Sequence, residues 1–389
     1  MDTAPARTGR KGYLKTSLLC AFIVMKCEGF SQITDLVDYL ENNRLIAYYC
    51  GFDIIKELPS YWTFVRFLRK LDNGLLKKVM QQQVLKLMKL GIVDTSFIGL
   101  DSTPVMANTM QNNPKSFAKS KFSKENQPKN DPDCRLGVHT ATNQINDKNY
   151  EFYWGYKNHV LVDCITGLPI HELTTTANVA DSTVALDILS QTNSFLSVRE
   201  CTFLADKGYD VKSIYNAVHD IYQGDCVIPL NVRGTKDVAK LPVGNLVCDA
   251  GLAMNRDGKT KDRGRTRQKF CCPFRQSKNG ECPCNHKNWN NGKKNRGCTK
   301  YTTIPDDYRL SIQRDTVAFK SLYSLRTECE RYNSRFKSTG QERLWVCNAD
   351  SAANLNTISH ISLLSIALAA VVTQRSAAMR SPKKLQRSA

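Results

Sequence analysis

Six side chains in this sequence have the types and spacing for phosphate chemistry. Four lie in "YSLRTECERYNSRFK", residues 323–337: Tyr323, Arg326, Glu330 and Lys337. Read as a helix at about 100° per residue, Arg326, Glu330 and Lys337 fall within roughly 60° of Tyr323, and Glu328 falls roughly 140° away. Leu322, Leu325, Cys329, Tyr332 and Phe336 form an apolar stripe, so the helix packs on a core and keeps a separate polar face. Alone, an Arg326–Glu330 pair at i,i+4 is an ordinary solvated pair worth a few tenths of a kcal/mol. The other two side chains are aspartates ending short apolar runs, Asp101 in "FIGLD" and Asp206 in "CTFLAD". If those runs are neighbouring strands of an open α/β sheet, the two aspartates face each other at the strand ends. Glu330 can then complete a triad.

Three converging carboxylates repel one another unless a cation neutralises them. An all-oxygen set selects Mg²⁺, with Mn²⁺ as substitute, over Zn²⁺. Two such ions ~3.5–4 Å apart clamp the attacking and leaving oxygens of an in-line phosphoryl transfer. Arg and Lys nearby suit the phosphates. Each aspartate singly also reads as a turn residue or cap. Asp94 rivals Asp101 but precedes its run rather than ending it, and Asp210 reads as a helix cap. Lys157 and His159 share one side of a strand; one can face the site, while a satisfied structural histidine is the plainer reading.

The chain has 389 residues, with 55 Lys and Arg against 36 Asp and Glu, a formal charge of +19. A field of that size points to a polyanion, most simply nucleic acid. The apolar runs at 18–25 and 361–372 are too short to span a bilayer, which leads us to expect a cytoplasmic protein with no membrane partner.

The elements that must hold these residues are legible in outline. Residues 13–90 read as helices: one opening near Ser31 and Asp35, one at Pro59-Ser60, and one over 75–91 that stops at Gly91. The N-terminal helical domain is set at 1–92. Residues 106–151 are polar, with Lys115, Lys119, Lys121, Lys124 and Lys129 interleaved with Phe117 and Phe122. That stretch is either a solvated loop or one lying on a phosphate backbone. Strands follow at 153–163 and 168–176, joined by a turn at Thr166-Gly167, then a helix capped by Asp181-Ser182. A strand at 201–206, a helix over 211–222 and a strand at 226–230 complete the series. The order is a mixed α/β sheet with flanking helices. Its first part spans 93–231, a basic Cys-rich insertion spans 232–318, and the last part spans 319–373. A basic tail over 374–389 reads as disordered.

Most of the 15 cysteines sit alone in apolar runs as small hydrophobes. Cys271, Cys272, Cys282, Cys284, His286 and Cys298, with Cys248 upstream, instead crowd into the insertion. They make 248–298 a candidate structural Zn²⁺ site, with Cys248, Cys272, Cys282 or Cys284, and Cys298 as the ligand set.

The spacing Tyr323-x₂-Arg326-x₃-Glu330-x₆-Lys337, with "GLDSTPV" and "FLADKGYD", resembles the DDE transposases of bacterial insertion sequences, in the branch with a Y-R-E-K signature. The resemblance covers nearly the whole chain. It implies an RNase H-like catalytic core with Asp101, Asp206 and Glu330 as catalytic metal ligands and Tyr323, Arg326 and Lys337 as DNA contacts. It also implies that water is the first nucleophile and the freed 3′-hydroxyl the second. The partners it implies are double-stranded DNA, as terminal inverted repeats and target, and a second copy of the chain when ends are paired. The N-terminal helices then recognise those ends or serve as a structural or dimerising cap. Competing readings are a catalytically silent DNA-binding relative and a Mg²⁺-dependent nuclease of the same fold.

Overall fold

The computed structural model describes residues 12–116, 120–142, 148–231, 245–262, 265–275, 297–303, 308–314 and 316–387. The chain divides into two compact units, residues 1–229 with 315–389, and residues 230–314.

In the first unit, helices α1 (Lys15–Cys27), α2 (Ile33–Asn42), α3 (Arg44–Tyr49), α4 (Tyr61–Lys70) and α5 (Asn73–Lys89) bury Phe22, Leu36, Phe64, Leu68 and Val84. The Asp72 side chain caps α5 at the Gly74 N–H. Gly91 ends it in the left-handed region, φ +69°, where a Cβ is disfavoured, and the Ile92 N–H reaches back to Leu87 O. These helices belong to the same compact unit as the sheet.

The strands are β1 (Phe97–Met106), β2 (Arg135–Thr142), β3 (Lys148–Asp163), β4 (Pro169–Thr176), β5 (Thr202–Leu204) and β6 (Asp225–Val227). Helix α6 (Asp181–Asn193) joins β4 to β5, and α7 (Lys212–Asn216) precedes β6. The sheet runs β2-β3-β1-β5-β6, with β4 also paired to β3. β3 is antiparallel to β1 and β4, and β1, β5 and β6 are parallel. This mixed sheet is consistent with an RNase H-like core.

The 230–314 unit holds a three-stranded antiparallel sheet, β7 (Asn255–Asp262), β8 (Arg265–Cys271) and β9 (Thr299–Thr303), followed by the short helix α8 (Tyr308–Ser311). Back in the first unit come α9 (Val317–Ser324), α10 (Thr327–Phe336), α11 (Ala349–Val372) and α12 (Pro382–Arg387). α11 packs along α5 and touches α1, α4 and β4.

Several expectations are corrected. β1 runs on past Asp101 to Met106; β5 pairs with it only as far as Gly99 and the next contact on that edge is at Met106, so Pro104 costs no ladder bond there. The polar stretch 106–151 contains β2. The apolar run at 361–372 is part of a 24-residue helix, long and apolar enough to cross a membrane, but it lies mostly buried as the core helix. The stretch 323–337 is two helices with a tightened junction, where Arg326 N–H bonds Tyr323 O and Cys329 N–H bonds Arg326 O, both i→i−3. α6 has Ala180 at its N-cap, and Asp181 pairs with Lys157 instead of capping. Asp210 accepts the Tyr215 hydroxyl, and α7 is preceded by Val211. The tail carries the short helix α12, and Arg380 before it is tied to Glu328 and to Ile165 O. Phe117 and Lys119 lie outside the described residues.

Candidate active site

The two aspartates are brought together by register. β1 and β5 pair in parallel up to Gly99 opposite Leu204; Asp101 and Asp206 each follow two residues further on, and the Asp206 charge reaches Asp101. Asp206 begins the short turn Lys207–Tyr209, and its Oδ1 accepts the Gly208 N–H at 2.7 Å. It is at once the turn residue its local sequence suggests and the neighbour of Asp101. Asp94 accepts the Ser96 N–H in the turn before β1 and takes no part.

α10 supplies the third carboxylate because Gly99 lets it approach. A Cβ at Gly99 would lie 2.4 Å from Cys329 Sγ and 2.6 Å from Cys164 Sγ, so only glycine permits this helix–strand distance. Cys329, Tyr332 and Phe336 are buried, while Leu322 and Leu325 are half-buried. Glu330 points outward, its side chain 58% exposed, and ion-pairs with Arg326. The same guanidinium lies 3.5 Å from Asp101 Oδ2 and 5.8 Å from the centre of the Tyr323 ring. Tyr323 stacks on Phe319. Lys337, just past α10, reaches Glu342 at 3.5 Å.

Asp101 is the electrostatic centre. Burial pushes its carboxyl up to about 6, the Arg326 charge and the Ser102 N–H pull it back, and the charges of Asp206 and Glu330 raise it again. The charges of the other two predicted carboxylates therefore both reach Asp101. One residue was not foreseen: Asn333 donates from Nδ2 to Asp101 Oδ2 at 3.1 Å, while its own Oδ1 is buried without a partner. Its signal was in the sequence, three residues after Glu330 and hence on the same helix face.

Glu328 is a different kind of residue. It is buried, ion-paired with Arg331, and 3.3 Å from Arg380. Arg335 beside it donates to Gly167 O at the β3–β4 turn. Lys157 pairs with Asp181 at 2.9 Å, and His159, fully buried, bonds Thr175 Oγ1; burial pushes its imidazole down to about 4. His159 is buried as a structural histidine would be, but only half satisfied: among the described residues its Nδ1 has no hydrogen-bond partner and lies 3.8 Å from Asp181 Oδ1.

Among the described residues no three Cys, His, Asp or Glu side chains converge as a ready metal cage; Arg326 is the cation that Asp101 and Glu330 share. The residues nonetheless fit hard divalent ions. The donors are carboxylate oxygens, their mutual repulsion calls for positive charge, and a buried carbonyl oxygen waits beside them unpartnered. In the 230–314 unit, Cys248, Cys272 and Cys298 pack in an apolar cluster with Leu246, Met254 and Phe270. Cys282, Cys284 and His286 lie outside the described residues, and the zinc reading gains no support.

The sequence profile described as "Transposase DDE domain" matches residues 87–364. The chain belongs to the transposase DDE domain family. Among solved structures, this transposase-domain chain is similar to a piggyBac transposase synaptic complex with hairpin DNA, at 12% identity over 98% of this chain and 72% of that one, with a TM-score of 0.42. It is also similar to a Mos1 transposase paired-end complex with the left transposon end, at 12% identity over 58% and 61% of the two chains, TM-score 0.18. A Mos1 mariner paired-end complex with Mn stands at 11% identity over 58% and 61%, TM-score 0.19. No curated protein matches the chain.

Proposed function

We propose that this chain is the transposase of a bacterial insertion sequence, in the branch with the Y-R-E-K signature, and that it cuts DNA at the element's ends and joins the freed ends to a target. The carrying observation is that the β1–β5 register and the Gly99 approach bring the charges of Asp206 and Glu330 to bear on the buried Asp101, with the Arg326 guanidinium beside it. Asp101, Asp206 and Glu330 would hold two Mg²⁺ ions, with Mn²⁺ substituting. When bound, the ions would supply charge neutralisation and activation of the attacking oxygen.

The chain's own residues do the rest. The Ser102 N–H and the Asn333 amide fix the Asp101 carboxylate from opposite oxygens. Arg326, Lys337 and Tyr323 would take the scissile strand's phosphates, Arg326 exchanging its carboxylate partners for phosphate. The N-terminal helices, or the basic strands β7 and β8, would hold flanking duplex. Paired ends call for two copies of the chain, working at the nucleoid in the cytoplasm.

The test is strand cleavage by purified protein on DNA bearing the inverted repeats that flank its own locus, with Mg²⁺, Mn²⁺ or EDTA. Metal-dependent cleavage and 3′-end joining that vanish in Glu330→Gln are expected. Cleavage undiminished in Glu330→Gln overturns the triad; cleavage without joining favours the nuclease reading; binding without cleavage favours the silent relative.

A further inference from the structure

Beneath α10 lies a chain of hydrogen bonds among wholly buried groups that serves no purpose described so far. Glu172 on β4 is buried at 1% exposure, and among the described residues no Lys or Arg ion-pairs with it. Its Oε2 accepts Asn158 Nδ2 at 2.8 Å and Thr174 Oγ1 at 3.3 Å, and its Oε1 accepts Thr357 Oγ1 at 2.7 Å. Asn158 Oδ1 meets His360 Nε2 at 2.9 Å, and His360 Nδ1 meets the Tyr332 hydroxyl. Glu172, Asn158, His360 and Tyr332 therefore join β4, β3, α11 and α10.

The chain has only one direction. A carboxylate accepts and never donates, so Asn158 must turn its amide nitrogen toward Glu172. That leaves Asn158 Oδ1 facing His360, which must carry its proton on Nε2. His360 Nδ1 is then an acceptor, and the Tyr332 hydroxyl must donate to it. Burial pushes His360 down to about 4, so the ring is neutral, as this order requires. Glutamine at 172 would remove the constraint: the Asn158 amide could sit either way round, and His360 and Tyr332 could each reverse.

Tyr332 lies two residues past Glu330 and one before Asn333. The packing of Cys329 on Gly99 fixes how close α10 comes, whereas a short directional bond at the buried Tyr332 hydroxyl constrains its rotation more narrowly than the apolar contacts of Phe336 do. We infer that Glu172 is a positioning residue: acting through Asn158 and His360 on Tyr332, it sets the rotation of α10 that presents Glu330 and Asn333 to Asp101. This rests on the reading that Glu330 serves the site.

The experiment pairs a spectroscopic and a kinetic readout on the full chain. Long-range ¹H–¹⁵N spectra of histidine-labelled protein report the His360 tautomer. The expected result is a single Nε2–H form in wild type and a mixture in Glu172→Gln. Single-turnover cleavage should fall about 10-fold or more in Glu172→Gln and in Tyr332→Phe, with DNA affinity unchanged. An unchanged tautomer in Glu172→Gln overturns the proposal, as does undiminished cleavage in Tyr332→Phe, the milder variant that decides the matter should Glu172→Gln not fold. The tautomer reads the relay whether or not Glu330 holds metal, so its failure is distinct from failure of the triad, which Glu330→Gln reports.

Discussion

Asn333 donates its amide to Asp101 across 3.1 Å from one turn beyond Glu330 on α10, so the helix that carries the third carboxylate also steadies the first. Asn333→Ala should loosen Asp101 and weaken metal binding about 10–100-fold, as loss of a group that orients a ligand typically does. Mn²⁺ titration followed by electron paramagnetic resonance, without DNA, measures this directly. Unchanged Mn²⁺ affinity would remove Asn333 from the site.

Gly99→Ala places a methyl group against Cys329 and Cys164 sulfur. The expected cost is about 1–3 kcal/mol. Cleavage should fall more steeply than stability, because the displaced element is α10. Adding Cys329→Ala should restore part of both. Thermal melts and cleavage rates of the single and double variants check it; a double variant no better than Gly99→Ala would show that the strain lies elsewhere.

The two glutamates should separate cleanly. Glu328→Ala leaves Arg331 and Arg380, both partly exposed, without their buried counter-charge, a loss of about 1–2 kcal/mol, while folded molecules still cleave. Glu330→Gln removes an exposed carboxylate from an i,i+4 pair and should hardly change the melting temperature while abolishing cleavage. The reverse pattern in paired melting and cleavage experiments would contradict the assignment of the two faces.

Asp101 is a carboxylate whose native pKa is raised, from 3.8 to about 6. The folded state thus holds this proton more tightly than the unfolded chain does. The stabilisation is fully present below about pH 4 and is lost as pH rises through 6, at most about 3 kcal/mol. Metal-free protein should therefore lose stability between pH 4 and 7, and Asp101→Asn should flatten that slope. Metal binding needs the ionised carboxylate, so at limiting Mg²⁺ cleavage should rise with pH through about 6. A flat profile in the metal-free protein would show that Asp101 ionises at its ordinary pH.

Much of this architecture was legible because its signals are local. Five of the six strands of the core sheet, the helical N-terminal segment and the Thr166-Gly167 turn announce themselves by apolar runs and turn residues. What escaped was set at a distance. β2 is polar in sequence and exists because β3 offers it an edge. The extension of β1 hides behind "DSTP", which reads as a turn until β3 pairs with it. The junction at Arg326 cannot be seen in a periodicity that treats Tyr323 through Lys337 as one uniform helix. For the candidate site, the identities and spacing of the acidic and basic residues were legible, and so was the neighbourhood of Asp101 and Asp206 once adjacent strands were assumed. Asn333, and the Glu172 relay under Tyr332, depend on contacts between residues far apart in the chain, 232 positions for Asp101 and Asn333 and 202 for Asn158 and His360.

The 230–314 unit, set between β6 and α9, has a consequence for biosynthesis. Asp101 and Asp206 leave the ribosome well before Glu330, which follows Asp206 by 330 − 206 = 124 residues. At ordinary translation speeds that gap lasts roughly 6–25 s. α11, against which the sheet and the N-terminal helices pack, emerges later still. On the proposed triad, a nascent chain carrying the sheet and both aspartates still lacks its third carboxylate, so the proposed cleavage site is completed only late in synthesis.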